Sequence, residues 1–239
     1  MTALPVTTSE PAKAAFADLK PGTKLYDFLF GFPLAVWYGV GVCVQVPLLL
    51  QALAAAMRPH ADPLLAIDVL AKSAALMFAA VLVGLVVIRR PASSGAPGIT
   101  PKVVAFLGAF LGVGILFLPH QKVAWELQLV SAVMIVGGMS FAVYALITLG
   151  RSISVLSEAR KLVTAGPYGI VRHPLYLGEE IALIGVALQF ASLAAFAVLV
   201  LQFGFQLYRM RFEEQVMTQA FPEYADYERR VKRLLPGIY

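Results

Sequence analysis

The stretch from Gly166 to Glu180, GPYGIVRHPLYLGEE, places Arg172, His173, Tyr168, Tyr176 and two carboxylates where a long apolar sequence resumes. Ionisable groups at a membrane boundary are costly to keep there, and they mark functional sites. Arginine, histidine and glutamate supply charge-assisted hydrogen bonds, and the aromatic rings add flat packing surfaces with a polar edge. A second polar run, RMRFEEQV from Arg209 to Val216, follows the apolar stretch and adds Glu213 and Glu214. Whether the two clusters share a ligand depends on the course of the chain between them.

The elements that must position these groups read as membrane helices. Of the 239 residues 59% are hydrophobic and 14% charged, a balance outside that of a soluble globular domain. Four apolar runs, about Phe28 to Leu53, Leu64 to Ile88, Val103 to Leu118 and Leu127 to Leu149, have the length of membrane spans. The fold expected is all-α, a polytopic membrane helix bundle with four N-terminal spans, a C-terminal helical hairpin and a cytoplasmic tail. Residues 1–239 are expected to form a single integral membrane domain, in which 1–150 carry the four spans and 151–239 carry both polar clusters, the helical hairpin and the tail.

The first 25 residues carry Glu10, Lys13, Asp18, Lys20 and Lys24 and lack a signal-peptide core, so the N-terminus is expected to be retained. Starting inside puts Lys13, Lys20, Lys24, Arg89, Arg90, Lys102, Arg151, Arg160, Lys161 and Arg172 on the cytoplasmic side, with Arg58 and Lys122 outside. Both termini are then cytoplasmic, in an inner or plasma membrane. The net charge of +5 suits a basic face attracted to anionic lipid and does not call for nucleic acid. Cys43 is the single cysteine, so a disulfide within the chain and a cysteine metal cluster are excluded; a packed thiol is expected. No metal site is expected.

From Leu175 to Tyr208 the sequence is apolar for a length that, as one helix, runs roughly 50 Å and overshoots a bilayer core. A single crossing also exports Arg209, Arg211, Arg229, Arg230, Lys232 and Arg233, against the charge rule. A hairpin of two arms, about 16 residues each, reversing near Phe190 to Ser192, removes both conflicts. It returns Glu213 and Glu214 to the face that carries Arg172 and His173.

The ordered set of motifs resembles the integral membrane methyltransferases that include isoprenylcysteine carboxyl methyltransferases and phospholipid methyltransferases. The matching residues are the GPY turn (Gly166, Pro167, Tyr168), the RHPxYxG segment (Arg172, His173, Pro174, Tyr176, Gly178), the pair Glu213 and Glu214, and the basic, aromatic tail ending in Pro-Gly. The resemblance covers roughly the last 80 residues. It implies methyl transfer from S-adenosylmethionine to a lipophilic or lipid-linked acceptor, a carboxylate, thiol or amine. It implies cofactor contacts from Leu162, Val163, Gly166, Pro167, Tyr168, His173, Tyr176, Glu213 and Glu214, with Arg172 and Glu214 in the catalytic role. Arg172 then pairs with the methionine carboxylate, and a glutamate holds the amino group or ribose hydroxyls. Proximity and in-line approach supply much of the acceleration in such a transfer.

Each group also has a plainer reading. Glu213 lies one helical turn after Arg209 and suits a surface ion pair. Pro174 suits the first position of a helix, whose positive end favours Glu179 and Glu180. Tyr224, Tyr227 and Tyr239 suit interfacial anchoring or packing. Asp68 and Lys72 suit a pair within the second span, and Gly108, Gly112, Gly114, Gly137 and Gly138 suit close helix packing. Two other functions are open to this sequence: a membrane reductase of sterol-reductase type using NADPH, and a non-enzymatic membrane protein.

Overall fold

The computed structural model describes residues 23–60, 62–119 and 121–239, so the expectations on Glu10, Lys13, Asp18 and Lys20 lie outside it. In lipid a backbone N–H or C=O must find its partner within the protein, so apolar runs of this length become helices. They are α1 (Lys24–Ala56), α2 (Leu64–Ile88), α3 (Thr100–Phe110, extended by a 3-10 helix over Leu111–Phe117), α4 (Trp125–Leu149), α5 (Pro174–Phe190), α6 (Leu193–Ala220) and the short α7 (Tyr224–Arg230). The sheet among the described residues is one antiparallel pair, β1 (Ser94–Gly95) with β2 (Glu158–Ala159). Five helices, α1, α2, α3 with its extension, α4 and α6, are long and apolar enough to cross a membrane. The protein is a polytopic membrane helix bundle.

The hairpin reverses where its length and charge require. Phe190 ends α5, Ala191 takes a left-handed conformation at φ 42°, and the Ser192 hydroxyl caps α6 by accepting from the Ala195 amide at 3.1 Å. Its arms are unequal, against the expectation of two matched ones. α5 has 17 residues and α6 has 28, roughly 26 and 42 Å at the helical rise. The surplus carries the end of α6 past the start of α5. Glu213 and Glu214 consequently stand level with Arg172 and His173.

Small residues let α4 and α5 touch backbone to backbone. A Cβ on Gly138 would lie 2.5 Å from the Ala182 nitrogen, and one on Gly178 would lie 2.7 Å from the Ala142 nitrogen. The Ser131 hydroxyl donates to the Gly185 carbonyl across the same seam at 2.7 Å. Such small-residue contacts drive helix association in lipid, where burying apolar side chains gains little. The glycine of the RHPxYxG segment therefore has a packing role that fixes α5 against α4. Phe78, Leu82 and Val86 of α2 and Leu34 of α1 pack onto Ala142, Val143 and Leu146 of α4. α3 leans on α6, with the Gln202 side-chain amide donating to the Gly108 carbonyl at 2.8 Å.

Of the glycines expected at close contacts, Gly108, Gly112 and Gly138 meet a neighbouring helix, whereas Gly114 and Gly137 have nothing within 4 Å. Asp68 and Lys72 form the expected ion pair. Cys43 is a correction, because it is exposed on α1 instead of packed. The lipid-facing side of a membrane helix accepts the same apolar neighbours as its core side, so an apolar run does not say which side a thiol takes.

Gly138→Leu should destabilise the bundle by at least about 1–3 kcal/mol, the cost of overpacking a tight contact. Gly137→Ala should leave the detergent-solubilised melting temperature near that of the parent. Equal thermal stability of the two variants, measured by fluorescence-detected size exclusion after heating, would remove the seam as a determinant of the fold.

Candidate functional site

The site is built where the end of α6, the start of α5 and the C-terminal tail meet. Pro174 opens α5 without needing a backbone donor, and His173 precedes it as the N-cap residue. Upstream, Gly166 at φ 57° permits the turn that carries Pro167 and Tyr168 into the interior. Downstream, the tail returns beside the motif: the Arg172 amide donates to the Lys232 carbonyl at 2.8 Å and the His173 amide to the Arg233 carbonyl at 3.0 Å. Val171 and Lys232 form a parallel bridge.

Glu214 is the centre of the arrangement. Its carboxylate accepts from Arg172 Nε at 2.9 Å and from Arg233 through Nε at 3.0 Å and Nη2 at 2.5 Å, and it lies 3.1 Å from His173 Nε2. Arg172 Nη1 donates further to the carbonyls of Glu228 and Val231 at 2.9 and 2.8 Å. The hydrogen bonds to Glu214 hold the Arg233 guanidinium protonated, its pKa raised above the ordinary value.

Glu213 serves a different set. Tyr176 donates its hydroxyl to Glu213 Oε1 at 2.6 Å, and Arg209 Nε donates to the same oxygen at 3.1 Å. The Arg209 guanidinium also lies over the Tyr176 ring, 4.8 Å from its centroid. The second oxygen of Glu213 faces His173 Nδ1 at 4.0 Å. The His173 and Tyr176 rings stack at 5.4 Å with 9° between their planes.

Arg172, His173, Tyr176, Glu213 and Glu214 line one cleft together with Leu162, Val163, Tyr168, Leu175 and Met217. Of the residues expected at the site, Leu162, Val163, Tyr168, Arg172, His173, Tyr176, Glu213 and Glu214 come together on it. Gly166 and Pro167 shape the turn behind it without lining it. Glu179 and Glu180 point away, Glu179 accepting from Gln206 at 3.3 Å and Glu180 buried against α6. The reading of those two as first-turn charges yields to helix–helix burial.

Arg209 and Tyr227 do more than their sequence readings allowed. Arg209 is buried instead of anchoring a surface. Tyr227 is buried too, and donates to the Tyr168 carbonyl at 2.6 Å, tying α7 to the GPY turn. Arg233 was missed as a site residue, since nothing local distinguishes it from the other basic residues of the tail. A second buried ion cluster was also missed: Arg160 Nη2 donates to Asp27 Oδ1 and Glu158 Oε2, both at 2.7 Å, and fastens the start of α1 to the edge of the cleft.

Residues 127–224 match the phospholipid methyltransferase family, a range that ends in α7 and includes both glutamates. Protein-S-isoprenylcysteine O-methyltransferase B of Arabidopsis thaliana is 36% identical over 133 residues, 52% of this chain and 66% of that protein. A probable protein-S-isoprenylcysteine O-methyltransferase of Oryza sativa subsp. indica is 31% identical over 130 residues, 52% of this chain and 68% of that protein. The cobalt-zinc-cadmium resistance protein CzcN of Cupriavidus metallidurans is 35% identical over 146 residues, 59% of this chain and 63% of that protein. The match to CzcN thus spans less than two thirds of its length. The chain belongs to the family of integral membrane methyltransferases that holds the isoprenylcysteine and phospholipid enzymes.

Glu214→Gln should lower stability by about 3–5 kcal/mol, because it strips the shared counter-charge from Arg172 and Arg233 in a buried setting. A thermal shift indistinguishable from the parent's would show that the cations find other partners. Burial raises the pKa of Tyr227 above its ordinary 10.0, so the folded state holds that proton more tightly than the unfolded chain does. The associated stability is fully present below pH 10 and falls as pH rises above it. Tyr227→Phe should cost about 1–3 kcal/mol by orphaning the Tyr168 carbonyl and should shrink the alkaline loss, read from melting temperatures between pH 8 and 11.

Proposed function

We propose that the protein transfers a methyl group from S-adenosylmethionine to a lipid-linked or lipophilic acceptor at the cytoplasmic face of an inner or plasma membrane. The observation that carries this reading is the division of labour between adjacent glutamates. Glu214 is saturated by Arg172, His173 and Arg233, while Glu213 keeps one oxygen toward the cleft. The donor set fits such a cofactor: a carboxylate for an ammonium or ribose hydroxyls, stacked aromatic rings, and apolar walls from Leu162, Val163 and Leu175. When bound, S-adenosylmethionine supplies an electrophilic methyl on a sulfonium centre.

The protein's own residues then bind and orient. Tyr176, held at its hydroxyl by Glu213 and over its ring by Arg209, presents a fixed packing plate. His173, held by Glu214, stacks on it. Arg172 has its donors committed to protein acceptors, so its role is to lock the tail across the site instead of gripping a methionine carboxylate. The void among these side chains is about 100 Å³, short of the roughly 300–1,000 Å³ of small-molecule pockets, so an occupant of nucleoside size must widen the cleft. Orientation, with exclusion of water by the tail, is the main catalytic resource this site offers. The names of the plant relatives support a prenylated cysteine carboxylate as acceptor, and the family match supports a phospholipid.

The test is calorimetric titration of the detergent-solubilised protein with S-adenosylhomocysteine, with NADPH in parallel. S-adenosylhomocysteine should bind, and Glu213→Gln should weaken it at least about tenfold, about 1.4 kcal/mol, without an equal loss of thermal stability. Binding of NADPH alone would transfer the site to a reductase.

A further inference from the structure

Beside the donor cleft lies a second groove of about 440 Å³, separated from it by a shared wall of Leu149, Ser152, Lys161, Leu162 and Val163. Its polar lining is Arg90, Thr148, Arg151, Ser152, Lys161 and Thr164, and it contains no carboxylate. Arg90, Arg151 and Lys161 are exposed, and among the described residues none of them forms an ion pair. That sets them apart from the arginines of the site, Arg160, Arg172, Arg209 and Arg233, each of which meets a glutamate.

The backbone holds these cations in place. The Arg90 amide donates to the Arg151 carbonyl at 2.8 Å, and Arg151 Nε donates to the Ile88 carbonyl at 2.8 Å, leaving its terminal nitrogens free for a ligand. The ends of α2 and α4 are thereby zipped together. β1 and β2 close the same junction a few residues on, with the Ser93 amide donating to the Ala159 carbonyl at 2.8 Å. The neighbouring surface is apolar: Val87 and Ile88 on α2 and Tyr144 and Ile147 on α4 are exposed, each by more than half. Cations thus sit at the end of a lipid-facing strip, one wall away from the donor cleft.

We propose that this groove is the headgroup subsite of the acceptor, and that it takes an amphiphile bearing a phosphate head. The inference rests on the methyl-transfer reading and names the substrate class of that site. The charged head meets Arg90, Arg151 and Lys161 while its chain lies along α2 and α4. The shared wall brings the head's substituent toward the donor side. A soluble anion has no use for the apolar strip, and a neutral lipid has none for three unpaired cations. Free phosphate offers the same head chemistry, so the experiment separates the two sources.

Binding is measured without any methyl donor, in neutral maltoside micelles carrying a few mole per cent of oleoyl lysophosphatidate or of the uncharged monoolein, with inorganic phosphate as a soluble competitor. Lysophosphatidate should bind more tightly than monoolein. The double substitution Arg90→Gln and Arg151→Gln should reduce its affinity on the order of 30-fold, at about 1 kcal/mol per arginine, while leaving monoolein binding and S-adenosylhomocysteine affinity within about twofold. Lys161→Gln, made separately, should reduce lysophosphatidate affinity about fivefold by the same arithmetic. Equal binding of the charged and uncharged amphiphiles, retention of the difference in both variants, or inorganic phosphate binding as tightly as lysophosphatidate would each overturn the assignment. Failure of S-adenosylhomocysteine to bind the parent protein strikes the methyl-donor reading separately, because the amphiphile titration does not depend on it.

Discussion

A buried carboxylate must find its counter-charge within the protein, and the architecture around the cleft follows from how Glu214 does so. Its partners come from two segments: Arg172 and His173 from the turn before α5, and Arg233 from the tail. Desolvating such a charge is expensive unless its hydrogen-bonding capacity is filled, and here both oxygens are used. Meeting that demand draws the tail against the motif strongly enough for backbone pairing at Val171 and Lys232. Once the tail is there, Tyr227 reaches the carbonyl of Tyr168, and Leu234 joins Tyr176 and Met210 in a small apolar cluster.

The neighbouring glutamate shows why two acidic residues in sequence are needed. Successive residues on a helix point about 100° apart, so one carboxylate turns to the tail while the next turns to Tyr176 and Arg209. The first kind of contact closes the site and the second shapes its wall. The same economy appears in the RHPxYxG segment, where Arg172 and His173 reach Glu214, Tyr176 lines the cleft, and Gly178 lets α5 lie against α4.

Much of the fold was legible because the bilayer imposes strong rules on length and charge. The reversal at Phe190 to Ser192 could be placed because a single crossing was too long and exported too many arginines. The Arg209–Glu213 pair could be read from its one-turn spacing, though its burial could not, since spacing carries no information on what covers a helix face. Arg233 was invisible for a different reason: its contact with Glu214 depends on a tail whose path is fixed by backbone pairing with residues some 60 positions earlier. The Arg160–Asp27 contact, 133 residues apart, has no local signature at all. Gly137 and Gly138 look alike in sequence, and only the helix rotation decides which one meets α5. Cys43 was misplaced because lipid and protein interior select the same apolar neighbours.

The unequal hairpin has a mechanical meaning. α5 is shorter than a bilayer core and α6 is longer, so the pair cannot both match the hydrocarbon thickness, which is about 30 Å. Ala191 and Leu193 at the reversal are exposed, and the surplus length of α6 forms a post that carries the cleft past the start of α5. Thinning or thickening the bilayer changes the tilt of that post and with it the height of the cleft. Membrane thickness thus bears on how far the cleft stands from the acyl chains, independent of any change in the residues that line it.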